Sequence, residues 1–178
     1  MASVDPHDLI SDTLYYELRC LLGSATLWDV WRKKPNSGYD VVVAMDSALV
    51  HARCLFEVMT KAAKSQHDVS ITELEVPART SALYSRDSSW REPLNRHVMH
   101  ASPGRSTPSN VIDGRHLNEM VINFALEVLT LWRQVESDIG DDDLRDLLAE
   151  KREQAIADAA NDAERHGAQP VFTVEDRL

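Results

Sequence analysis

The feature of this sequence that most limits its fold is an apolar stripe that keeps the period of an α-helix. Leu117, Val121, Phe124, Val128, Leu131 and Val135 follow one another at intervals of four and three residues. That spacing puts them on one side of a helix. Met120, Ile122, Ala125, Leu126, Leu129 and Trp132 widen the stripe. A helix over about 113–139 must therefore meet apolar partners on more than one side. A lone helix cannot bury that surface, so the rest of the chain has to supply the partners.

Two further segments have the same period. Between about 9 and 34, Ile10, Leu14, Leu18, Leu21, Ala25, Trp28 and Trp31 recur at threes and fours. The run Arg32-Lys33-Lys34 suits the negative end of that helix, and Pro35-Asn36-Ser37-Gly38 closes it. Between about 39 and 65, Val41, Met45, Ala48, Ala52, Leu55 and Met59 repeat at bundle spacing, with Asp40 as a cap. A short third helix is predicted over about 90–101, entered through the capping box Ser89-Trp-Arg-Glu92. Residues 66–88 read as a connection holding at most one short element, and 102–112 as a polar loop. The 178 residues contain only six glycines and seven prolines, which agrees with long uninterrupted elements.

The last periodic segment, about 141–166, differs in character. From 136 to 166 there are eleven acids against four Lys or Arg. Its apolar face thins after Leu148, so the expectation is a solvated, loosely docked helix that offers a protein partner an acidic surface. The ending GAQPVFTVEDRL reads as a tail. The predicted fold class is thus all-α: an up-and-down four-helix bundle over 1–140, with an additional acidic helix and tail over 141–178 as part of the same domain or appended to it.

Charge limits function. A formal charge of −10 repels phosphate on average and argues against a general nucleic-acid or anionic-membrane binder. The start MASVDPHDLISD has neither the cationic end nor the apolar run of a signal peptide. No stretch reaches the roughly 20 apolar residues of a membrane span. Cys20 and Cys54 lie within helical segments and read as small hydrophobes in a reducing compartment, with a disulfide the less favoured arrangement. The expected location is cytoplasmic.

One region runs against the average charge. From 79 to 116 there are six arginines against three acids, together with His97, His100 and His116. In the third helix Trp90, Leu94, Val98 and Ala101 share the core side, while Arg96 and His100 lie together one turn apart on the other. An arginine fork and an imidazole so placed can converge on one phosphate. Arg96 then holds its charge, and His100, titrating near neutrality, serves as general acid or base. Arg91, Arg53 and Arg105 are candidate phosphate-binding residues beside them. The plainer alternative is that these are polar residues on an outer helix face. His97, at the edge of the apolar side, reads as a packed histidine. His51 and Arg53 flank the core stripe of the second helix, and one of them is placed to reach toward Arg96 and His100. His97-x-x-His100 has no Cys or carboxylate companions at metal spacing, so no metal and no cofactor is expected.

Leu49-Val-His-Ala-Arg-Cys-Leu, Leu94-Asn-Arg-His-Val-Met-His100 and the long helix that follows resemble a group of small bacterial helical proteins similar to the HEPN superfamily, over about residues 9–139. The resemblance implies a helical bundle, often dimeric. Its members are either metal-independent ribonucleases, with an Arg-x(4–6)-His motif at the dimer interface, or non-catalytic partner-binding modules. Here Arg96 and His100 have three residues between them, and Arg91 and His97 have five but lie about 120° apart on the helix. The expectation is therefore a non-catalytic interaction module, as a homodimer. The alternative is a metal-independent ribonuclease or toxin-type nuclease, and RNA is a partner only under that alternative.

Overall fold

Helices built from these stripes account for nearly all the regular structure. The structure is a computed structural model describing residues 5–61, 69–99, 111–112 and 115–173, with side chains omitted at 96–99, 111–112 and 115. Asp5 caps a single turn, α1 (Pro6–Asp8), by accepting from the His7 N–H at 2.8 Å. The chain runs on through a π-helical turn, Leu9–Leu14, into α2 (Tyr15–Trp31). The wider turn lets the adjacent residues Leu9 and Ile10 both be buried ahead of Leu14, Leu18, Leu21 and Ala25. Asn36, in the left-handed conformation (φ 66°), and the Ser37 hydroxyl, which donates to the Lys34 carbonyl at 2.8 Å, turn the chain back into α3 (Gly38–Thr60).

Of the predicted stripe of α3, Ala48, Ala52, Leu55 and Met59 are buried and Val41 and Met45 half-buried, while Ala44, Leu49 and Phe56 are buried beside it. α2 packs chiefly on α3 and on the last helix, α6 (Asp142–Arg165), and α5 (Val121–Asp138) packs on α3. Among its described residues, the connection after α3 contains one short element, a 3-10 turn over Ile71–Leu74. There Ser70 accepts from the Thr72 N–H and donates to the Lys61 carbonyl. Residues 76–88 are irregular but anchored. Glu127 of α5 (Val121–Asp138) takes bonds from the Ser81 hydroxyl and the Ala82 N–H, each at 2.8 Å, and the Arg79 N–H reaches the Met59 carbonyl at 2.7 Å. These bonds hold the stretch in place without a helix or sheet.

The short helix α4 (Arg91–Met99) begins one residue later than its sequence signal suggests, and it is Ser88, rather than Ser89, whose hydroxyl accepts from the Trp90 N–H. A two-residue antiparallel ladder, β1 (Val111–Ile112) with β2 (Arg115–His116), precedes α5. The long helix therefore starts at residue 121, behind a 3-10 turn over Leu117–Met120, and not near 113.

α6 (Asp142–Arg165) departs most from expectation. It is seated along its length, because its contact face is made of alanine. Leu148, Ala155, Ile156, Ala159 and Ala163 are all buried, and the small side chains let α6 approach α2 closely. A face of alanines looks thin on a hydropathy scale yet packs well. The tail is anchored too: Phe172 is buried in the same core cluster, and no strand forms over 171–173. One apolar cluster runs through α2, α3, α5, α6 and the start of α4, and the fold is an all-α helical bundle. Among the described residues no helix is long and apolar enough to cross a membrane.

Candidate functional site

The structure brings two of the five predicted site residues into one cluster, at the C-terminal end of α3. Arg53 projects from α3 toward α4, where its Nε donates to Asn95 Oδ1 at 2.9 Å. Asn95 directly precedes Arg96, so Arg53 does reach the helix that carries Arg96. Arg91 lies on the same helix, with its guanidinium 5.5 Å from the centroid of the Tyr84 ring. His100 and Arg105 lie outside the described residues. Arg96 falls within α4, and its side chain lies outside the description, as does that of His97.

At the centre of the cluster is Tyr84, 2% exposed. Phe56 stacks against its ring at 5.1 Å with 9° between the planes. Its hydroxyl lies 2.8 Å from Asn95 Oδ1 and 3.2 Å from Glu57 Oε1, sharing one hydrogen between two acceptors. The same Glu57 oxygen accepts from Lys61 Nζ at 2.5 Å and from Arg53 Nη2 at 3.1 Å. Lys61 also stands 5.9 Å from the Tyr84 centroid. Burial opposes charge on Glu57, but the hydrogen bond and charge of Lys61, with Arg53 and the Tyr84 hydroxyl, hold its carboxyl below the ordinary glutamate value. Burial, then the neighbouring Glu57 charge, pushes the Tyr84 phenol up, so it stays protonated and acts as a donor.

Arg53, Glu57 and Lys61 are spaced four apart on α3, a row the sequence already displays. Tyr84 carried no such signal, because it arrives from an irregular stretch placed by Glu127 and Ser81.

His51 sits elsewhere, in the α2–α3 seam. Its Nδ1 lies 2.7 Å from Glu17 Oε2 and its ring packs edge-on to Tyr16 at 5.9 Å. It is a boundary residue with a partner and does not join Arg53. Cys20 and Cys54 flank the same seam as free, half-buried thiols, and burial is the main cause raising both above the usual thiol range. Among the described residues no three His, Cys, Asp or Glu side chains are placed to hold a metal ion.

A cleft of 470 Å³ opens between the end of α2, the start of α5 and residues 169–171. Arg32 and Lys33 on its rim are both held by Asp29, and Arg32 also covers Trp28 at 4.6 Å. Its charges are internally matched.

The other exceptional surface is the solvent side of α3. Tyr39, Val42, Val43 and Val50 are 80%, 48%, 47% and 37% exposed. Tyr39, Val43 and Val50 fall at i, i+4 and i+11, opposite the buried stripe. No protein-family model, no curated protein and no solved structure matches the chain.

Proposed function

We propose that this protein is a non-catalytic helical interaction module, HEPN-like in kind, that works as a homodimer through the solvent side of α3. The observation that supports this is the exposed apolar row Tyr39, Val42, Val43 and Val50 on a helix already buried along its other side. Isolated exposed apolar residues are ordinary, but a row at helical spacing is the form of a helix–helix contact. A second copy fits this face. In an antiparallel pair of α3 helices related by a two-fold axis that passes between Asp46 and Ser47, Val43 of one copy meets Val50 of the other. That register also sets Asp40 of each copy beside Arg53 of the other. The two free thiols suit a cytoplasmic location.

The test is the mass of the particle in solution. By sedimentation equilibrium the wild type sediments as a dimer, and Val43→Asp/Val50→Asp as a folded monomer. A monomeric wild type, or a doubly substituted protein that remains dimeric, overturns the reading.

The second reading, a metal-independent ribonuclease, is favoured by a different observation: Arg53 bonds to Asn95, immediately before Arg96. In this reading His100 transfers the proton and Arg96 grips phosphate, with Arg91, Arg53 and Arg105 assisting. RNA incubated with the protein in EDTA is then cleaved to ends bearing a cyclic phosphate, and Arg96→Ala/His100→Ala abolishes cleavage. Intact RNA at high protein concentration removes the reading.

A further inference from the structure

We propose that the cluster around Tyr84 is a binding site for a single phosphate monoester group of a small ligand, held by Lys61 and Arg91 above a base formed by Arg53, Glu57 and Asn95. Three cations meet one carboxylate here, an excess of two positive charges in a chain of net charge −10. Lys61 and Arg91 both stand within 6 Å of the Tyr84 ring centroid, and Lys61 shares the Glu57 carboxylate with Arg53. Glu57 does not serve them equally. All three of its donors converge on Oε1, and its contact with Arg53 ties that arginine to the base.

The base is rigid. Tyr84 is clamped by Phe56 and its hydroxyl is fixed between Asn95 and Glu57. Lys61 is less confined: its side chain is 39% exposed, against 19% for Arg53. A dianionic phosphate matches the charge excess, and charge-assisted bonds to an arginine fork and an ammonium are the usual means of holding one. Size selects the ligand. Residual positive charge is confined to one point, and the surrounding negative field, screened only beyond about 8 Å, penalises a polyanion far more than one small dianion.

The experiment is a titration of the full chain with inorganic phosphate, followed by phosphorus NMR and by thermal unfolding, against chloride at equal ionic strength. The site predicts saturable one-to-one binding and a rise in Tm with phosphate that chloride does not reproduce. Affinity falls about a hundredfold or more in Lys61→Ala/Arg91→Ala, about tenfold for each of the two charge-assisted bonds lost. It rises in Glu57→Gln, which removes the competing carboxylate; a merely structural ion cluster has no reason to gain phosphate affinity there. A nucleoside monophosphate binds as phosphate does, whereas an RNA oligonucleotide without terminal phosphates binds more weakly. Indifference of the wild type to phosphate, an unchanged response in the Lys61/Arg91 variant, or binding of the RNA alone overturns the proposal. The dimer reading is unaffected by any of these results, since it is read from mass.

Discussion

The indole N–H of Trp132 on α5 donates to the carbonyl of Leu148 on α6 across 3.1 Å, and both residues are buried. The bond joins the strongly amphipathic α5 to the acidic α6 at a point closed to water. Close by, Arg152 of α6 pairs with Glu136 of α5 at 2.8 Å. α6 is thus held by a polar bond within an apolar contact, which sets its register as well as its affinity for the bundle.

Trp132→Phe removes the donor and part of the ring while leaving the site apolar. The expected loss is about 1–3 kcal/mol, combining a buried hydrogen bond with a small cavity. Urea unfolding followed by far-UV circular dichroism measures it. A loss within experimental error of zero means that α6 is not fixed through this bond.

The alanine face of α6 responds to size. Ala155 is fully buried, so Ala155→Leu overpacks the contact and costs about 1–3 kcal/mol. Gly23, midway along α2 and facing α6, gives the opposite sign. A methyl group there meets only Asp162 Oδ2, at 3.5 Å, an ordinary contact. Gly23→Ala therefore raises stability by about 0.5–1 kcal/mol through helix propensity. Midpoints of denaturant unfolding, at unchanged slope, report both effects.

Glu57 and Glu136 act in opposite directions with pH. Glu57 has its folded value below the ordinary 4.5. Its contribution to stability is present above 4.5 and is lost as pH falls through the folded value. Glu136 is raised, because burial outweighs the charge and hydrogen bond of Arg152. Its contribution is present below 4.5 and is lost as pH rises through its higher folded value. The stability gap between wild type and Glu57→Gln therefore narrows in acid, as urea unfolding across the acid range will show; a gap that widens contradicts this assignment. Arg152→Ala takes its hydrogen-bonded partner from the half-buried Glu136 carboxylate, with the Arg133 charge still near it, and costs about 1–3 kcal/mol at neutral pH.

The two thiols are expected to react slowly. Burial is the main reason their thiolates are disfavoured, and the Glu17 charge adds to it. Alkylation by iodoacetamide at neutral pH runs slower than for a free cysteine. In Glu17→Gln the rate at Cys54 increases, because a negative neighbour is gone. Mass spectrometry of the alkylated peptides separates the two sites.

The sequence by itself determined the helices and their buried sides. Leu18, Leu21, Ala52, Leu55, Phe124, Val128 and Leu131 are all buried where the periods of three and four put them, because helical spacing and burial are properties of neighbours along the chain. It also displayed the row Arg53, Glu57, Lys61, for the same reason. Only the tertiary structure decided how α6 is seated. Alanine contributes little to a hydropathy pattern, and its value as a contact surface depends on how closely a partner helix approaches. Tertiary structure alone also brought Tyr84 between Phe56 and Asn95, since that ring comes from an irregular stretch held by Glu127, more than forty residues further along the chain. Such a placement follows from long-range hydrogen bonds, which leave no period in the sequence, and so the arginines that local pattern could name found their companions only in the folded chain.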